Sequence, residues 1–178
     1  MTDEIELTAT SYIVLGLLER LGEASPYELK QAVAETVANF WSVPHSQVYR
    51  EAGRLTRAGY LSERRERTAG GRPRRVHALT ARGRRALEAW RETTSDELPQ
   101  LRDPGLLRLF FGADPAAIGR VRLDAHRRQL DGYEARRAVA GDSMPAGPRL
   151  ALEAGIGHER EWVRFWSRLA GEAPPAGA

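Results

Sequence analysis

The sequence contains no cysteine, only 7% aromatic residues and a single lysine, Lys30. The first absence excludes disulfides, thiolate metal sites and cysteine nucleophiles. The four histidines (His45, His77, His126, His158) are too scattered to suggest a local zinc site, so neither a metal nor a cofactor is expected. No run of about 18 uncharged apolar residues occurs, which disfavours a membrane span. Residues 1–7 (MTDEIEL) are acidic where a secretory signal would be basic, so the chain is expected in the cytoplasm. Catalytic patterns are missing as well. Gly141-Asp142-Ser143-Met144-Pro145 is not a G-x-S-x-G elbow, no phosphate-binding loop is found, and His158-Glu159 lacks the second histidine of a zinc-protease helix. No enzyme activity is expected.

What is there is arginine, unevenly placed. Of 178 residues, 42% are apolar and 29% charged, enough for one or two compact domains, with a net charge of only +3. Residues 1–44 carry two basic and seven acidic residues. Residues 45–90 carry 12 arginines against Glu51, Glu63, Glu66 and Glu88, a net +8, and the remainder is balanced at 13 against 13. One lysine against 26 arginines reflects a coding bias, so the clustering rather than the count carries the signal. A cationic segment of this density suits a surface that meets phosphate.

Residues 8–21 (TATSYIVLGLLERL) begin at a threonine N-cap and are apolar on most faces, so this helix needs more than one neighbour, and a second subunit is a natural one. Gly22 ends it. Ser25, Pro26 and Glu28 form a capping box with proline at the first helical position, and Tyr27, Leu29, Ala32, Val33 and Val37 can supply the buried side. After an apolar connection through Phe40, Trp41 and Val43, a third helix opens at Ser42 or Pro44 and runs to Gly59. Val48, Ala52 and Leu55 face inward there, leaving His45, Ser46, Gln47, Arg50, Arg54 and Arg57 outside. Three short helices with a polar, cationic outer face on the third make a helix-turn-helix pattern.

Residues 60–67 and 74–79 then read as two short strands around an Ala69-Gly70-Gly71-Arg72-Pro73 turn, a β-hairpin or wing. Thr80 caps a fourth helix over 81 to about 96, with Leu87 and Trp90 on one side. Residues 103–112 form a short helix, Asp114-Pro115 opens a long one to about Val139, and GDSMPAGP turns the chain. In the last helix Leu150, Ala154, His158, Trp162, Phe165, Trp166 and Leu169 track one side. Ala170–Ala178 reads as a disordered tail. His126 and His158 read as ordinary half-exposed histidines, beside a pH-sensitive or ligand-facing role. Apolar stripes on more than one side of the last two helices suggest a bundle completed by a partner chain.

The blocks LTATSYIVLGLL, SPYELKQAV, SQVYREAGRLTRAGYL and GGRPRRVHALTARGRRAL, in this order and spacing, resemble the winged-helix domain of PadR-family transcriptional regulators. Two residues depart from the pattern. Gly53 interrupts the third helix at a cost of roughly 1 kcal/mol, and His77 stands where the family commonly has an aromatic residue. The resemblance implies a mainly α fold with a small β-hairpin wing: a winged helix-turn-helix domain over residues 1–90, a helical dimerisation and effector-sensing region over 91–170, and a disordered tail over 171–178. It implies a homodimeric repressor that occludes a promoter, on double-stranded DNA with an inverted-repeat operator whose half-sites lie about 34 Å apart.

In that reading Ser46, Gln47 and Arg50 read base edges, with His45 beside them, and Tyr49, Arg54 and Arg57 position the backbone. Arg64, Arg72, Arg74 and Arg75 on the wing add minor-groove or phosphate contacts. The four tryptophans fit core packing and an effector pocket equally. Because some PadR-like repressors respond to phenolic or multidrug-type aromatic compounds, Trp90, Phe110, Tyr133 and Trp162 are the candidates for a small aromatic effector. Two alternatives stay open: a helical dimeric adaptor without DNA binding, and a winged-helix protein regulated by a protein partner.

Overall fold

The computed structural model describes residues 5–67 and 73–172, with the side chain of residue 142 excepted. The expected wing turn at 69–71, Arg72 and the tail from 173 onward lie outside the described residues. The chain divides into two compact units, one through Glu97 and one from Leu98.

In the first unit, α1 (Ala9–Leu21) starts at Thr8 and stops at Gly22, whose φ of 76° places it in the region glycine favours while its N–H returns to the Leu18 carbonyl. α2 (Pro26–Glu35) has the expected capping box: the Ser25 hydroxyl accepts the Glu28 N–H at 3.3 Å, and Glu28 accepts the Ser25 N–H at 2.7 Å. α3 (His45–Arg57) opens after Pro44. β2 (Leu61–Arg67) and β3 (Pro73–Leu79) form the antiparallel hairpin, with Leu61 opposite Leu79 and Arg67 opposite Pro73. A two-residue strand that the sequence did not announce, β1 (Glu23–Ala24), joins β3 on its other edge, giving the order β1-β3-β2.

α4 (Ala81–Arg91) is capped by Thr80, whose hydroxyl accepts the Gly83 N–H. It ends five residues before the expected 96, where β-branched Thr93 and Thr94 and the polar Ser95 are poor helix formers. Val14, Leu15, Leu18, Leu29, Val48, Leu55 and Leu87 fill one core. Tyr27, expected in it, is instead 57% exposed, because α2 turns Leu29, Val33 and half-buried Ala32 inward.

The second unit holds α5 (Pro104–Phe110), α6 (Pro115–Ala140) and α7 (Ala146–Ala170). The last two run antiparallel: Gly119 lies against Leu169 and Ala170 at one end, and Gly155 against Tyr133 toward the other. The core is small, Leu123, Val163 and Trp166 ringed by half-buried Leu106, Leu109, Ile118 and Phe165. The buried stripe of α7 is Ile156, Glu159, Val163 and Trp166, rotated from the expected one, so that Leu150, Ala154 and His158 face outward. The aromatic residues around Trp162 suggested the wrong centre for that stripe. Gly171 and Glu172, expected in the tail, are placed: Gly171 caps α7 and Glu172 accepts from Arg127 at 2.8 Å.

His126 is not an ordinary half-exposed histidine. It is nearly buried, 2.6 Å from Glu159 and 3.1 Å from Arg122, with its ring stacked toward Trp162 and Trp166. Asp103, the N-cap of α5, accepts from the same Arg122. No helix among the described residues is long and apolar enough to cross a membrane.

Candidate nucleic-acid interface

The inward spacing of Val48, Ala52 and Leu55, all fully buried, turns the rest of α3 outward. His45, Ser46, Tyr49, Arg50 and Arg57 are exposed and Gln47 is half-buried at the edge. Gln47, Tyr49, Arg50, Gly53 and Arg57 line one face of an open cleft of about 750 Å³ whose other side is Thr8 and Thr10 at the start of α1. Polar side chains and cationic tips thus converge where a rod-shaped polyanion could lie along the helix.

Arg54 differs from its neighbours. Its guanidinium donates to Glu51 at 2.7 and 2.9 Å, to Ser11 Oγ at 3.1 Å and to the Glu6 carbonyl at 2.9 Å. The hydrogen-bonded Glu51 carboxylate, against a smaller effect of burial, holds the Arg54 guanidinium more firmly protonated than usual. Burial pushes the Glu51 carboxyl up, but hydrogen bonds from Arg54 and Ser11 outweigh it and leave it below its ordinary range. Arg54 therefore ties α3 to α1, and sequence reasoning missed this because Ser11 is 43 residues away.

The wing has two unlike faces, as strand alternation requires. On one, Glu23, Arg64, Glu66, Arg74 and Glu28 form a ladder of alternating charge, with Arg64 2.5 Å from Glu23, Arg74 2.8 Å from Glu66 and Arg74 3.1 Å from Glu28. Hydrogen bonds from Arg64 to Glu23 and from Arg74 to Glu66 lower both carboxyls. Glu28 is lowered first by the Ser25 N–H and hydroxyl, then by Arg74. Two of the expected phosphate contacts, Arg64 and Arg74, are thus already paired within the unit. On the other face stand Arg65, Arg67 and Arg75, all exposed, of which the sequence reading named only Arg75. The signal that could have found Arg65 is the period of two: it shares a face with Glu63 and His77.

Of the four candidate effector residues, one lies in the first unit and three in the second. Trp90 belongs to the first unit and stacks on Tyr12, ring centres 4.7 Å apart. In the second unit Phe110 is 82% exposed beside Phe111 and borders a shallow groove with Leu101, Pro104, Leu106 and Leu107. Tyr133 packs on Gly155, and Trp162 sits among His126, His158, Phe165 and Trp166. Among the described residues no cluster of three His, Asp or Glu is placed to hold a metal ion.

Comparison with known proteins bears on this geometry. Residues 14–89 match the family described as Transcriptional regulator PadR-like. The negative transcriptional regulator PadR of Bacillus subtilis (strain 168) is 31% identical over 100 residues, covering 56% of this chain; the chain spans about half, 54%, of that relative. A crystal structure of Bacillus subtilis PadR in complex with operator DNA superposes with a TM-score of 0.82 at 22% identity, covering 92% of this chain and 98% of that one. A structure of the same protein with p-coumaric acid gives a TM-score of 0.71 at 23% identity, covering 93% and 98%. At these identities the likeness concerns the fold.

Proposed function

Because residues 14–89 match the PadR-like family of transcriptional regulators, we propose that the chain belongs to that family and is a dimeric, cytoplasmic, sequence-specific DNA-binding repressor that occludes a promoter and is released by a small aromatic effector. The observation that carries this reading is the outer face of α3, where Gln47, Arg50 and Arg57 line an open cleft beside Thr8 and Thr10. Ser46, Gln47 and Arg50 are assigned to base edges in the major groove, with His45 at the helix start; Tyr49 and Arg57 are assigned to the backbone. Arg54 is assigned to holding α3 in place, since its donors are engaged. Residues 1–90 are assigned to DNA and 91–170 to pairing and sensing, a division supported by two compact units that divide between Glu97 and Leu98.

A second copy of the chain is supported by the second unit. Leu107, Phe110 and Phe111 around α5 and Val121 on α6 are 61%, 82%, 77% and 70% exposed, a concentration of bare apolar side chains expected of a surface that a partner covers. Two recognition helices related by a twofold axis would read an inverted repeat, about 34 Å between half-sites. The operator-bound and p-coumaric acid-bound relatives support DNA and an aromatic acid as ligands of this chain.

The test is a mobility shift with the DNA immediately upstream of the chain's own coding sequence, against excess random competitor, without and with phenolic acids. Salt-sensitive, competitor-resistant binding that a phenolic acid reverses is the expected result. A folded chain that binds neither this DNA nor random DNA would overturn the reading in favour of the adaptor.

A further inference from the structure

The side of the wing that faces α3 carries an unusual pairing. Arg65 and Arg75 stand directly opposite each other in the antiparallel register, two positive side chains on one face of the hairpin, where like charges repel. The other face has no such conflict, because its arginines alternate with Glu23, Glu66 and Glu28. Near the Arg65–Arg75 pair the carboxylate is Glu63, whose Oε2 lies 3.7 Å from Arg75 Nη1 and 3.9 Å from His77 Nε2. One oxygen thus stands between two claimants.

The proton positions around His77 follow from its neighbours. Thr56 of α3 donates its single hydroxyl proton to the Ala52 carbonyl at 2.8 Å. Its oxygen, 3.1 Å from His77 Nδ1, is then an acceptor, so Nδ1 carries the ring proton of the neutral imidazole and Nε2 turns its lone pair toward Glu63. His77 is 2% exposed, lodged between the sheet and α3. Burial first, and Arg75 as a lesser influence, hold its pKa below the ordinary histidine value, against the pull of Glu63. A proton added at Nε2 would create an ion pair with Glu63 and draw that carboxylate off Arg75.

We propose that Arg65 and Arg75 form a seat for a nucleic-acid phosphate on the α3-facing side of the wing, and that Glu63 changes partner from Arg75 to His77 as the seat fills. A phosphate bridging the two guanidiniums removes their repulsion and competes with Glu63 for Arg75. Glu63, released, stabilises the protonated imidazole, and the proton comes from solvent to Nε2. Binding therefore takes up a proton, and by linkage a fall in pH tightens binding. This seat rests on the proposed DNA-binding function and adds to it Arg65, a role for Glu63 and a proton.

The experiment is fluorescence anisotropy of a labelled, mixed-sequence DNA duplex titrated with the full chain at several salt concentrations and pH values. A second imidazole, His45, stands on α3 at the proposed interface, so the pH series is made in H45Q. R65A and R75A are each expected to reduce the slope of log K against log salt by about one unit, and R64A and R74A to leave it near the parent value. Affinity is expected to rise about threefold or more between about pH 7.5 and about pH 5.5 in the H45Q background. E63Q should bind more tightly at neutral pH and lose the pH dependence; H77Q should lose the dependence alone, and E63Q decides the matter if H77Q fails to fold. Unchanged slopes in R65A and R75A, or a pH dependence that survives in E63Q, would overturn the seat while leaving DNA binding intact. A parent chain that binds no DNA would overturn both.

Discussion

The Ser11 hydroxyl of α1 donates to Glu51 Oε1 of α3 across 2.5 Å. Ser11 Oγ itself accepts the Thr8 N–H at 2.8 Å and an Arg54 N–H at 3.1 Å. A fully buried hydroxyl thus has all its capacity used, and it fixes the first helix of the unit to the helix proposed to enter DNA.

Removing Arg54 should therefore injure the fold more than the recognition. R54A leaves the Glu51 carboxylate, whose side chain is 12% exposed, without its charged partner, and is expected to cost roughly 1–3 kcal/mol of stability. Its effect on the salt slope of DNA binding should be small once the variant is held at a temperature where it stays folded. R50A should show the reverse, an unchanged melting temperature and a loss of about 1–3 kcal/mol that is larger on operator than on random DNA. Equal losses on both DNAs would remove Arg50 from base recognition.

The Glu51 carboxyl also sets an acid limit. Its pKa in the folded chain is depressed, so its contribution to stability is present above the unfolded carboxylate pKa, about 4.3, and is lost as pH falls through the folded value. Glu28 behaves alike, through its bonds to Ser25 and Arg74. The melting temperature should fall as pH drops below about 4.5, and E51Q should start lower at neutral pH and fall less steeply. A wild-type chain and E51Q with parallel pH profiles would remove Glu51 from this account.

The elements were legible where the chain itself states the physics. The Ser25-Pro26-Glu28 box, the Asp103-Pro104 and Asp114-Pro115 starts and the 48, 52, 55 stripe all act within a few residues, and all stand in the structure. β1 was not legible, because two residues carry no period and exist as a strand only through Ala78 and His77 of β3. The candidate interface was legible as a face of α3 and a cationic hairpin. How the wing arginines divide was not, since Glu23 and Glu28, which hold Arg64 and Arg74, lie 41 and 46 residues earlier in sequence. Sequence reports a cluster of positive charge; only the fold tells which charges are already spoken for.

Two glycines should respond in opposite ways to alanine. A Cβ at Gly53, inside α3, meets nothing within 4 Å, so G53A should stabilise the chain by about 0.5–1 kcal/mol through helix propensity. At Gly83 the added carbon would lie 2.3 Å from the Tyr60 carbonyl oxygen, which is backbone, and 3.1 Å from Leu79. G83A must push α4 off the sheet and should cost several times what G53A gains. Thermal melts of the two variants check both signs. DNA affinity of G53A adds a further reading, since Gly53 lines the cleft and a methyl group there would impede a close approach of DNA to α3.

The proposed dimer makes a demand on the bare apolar side chains of the second unit. Leu107 and Phe110 lie on α5 away from the Leu123–Trp166 core, and Val121 points outward from α6. Placing charge there should not unfold the isolated chain, because those positions are already in water. F110E and V121E together should instead leave a folded monomer by sedimentation or light scattering, with helix content unchanged. The monomer loses the simultaneous grip of two recognition helices, and operator affinity should fall by about 10²-fold or more while the salt dependence per bound chain stays the same. A double variant that remains dimeric with full affinity would place the subunit contact elsewhere. One that is monomeric yet binds the operator as well as the parent would detach DNA recognition from pairing.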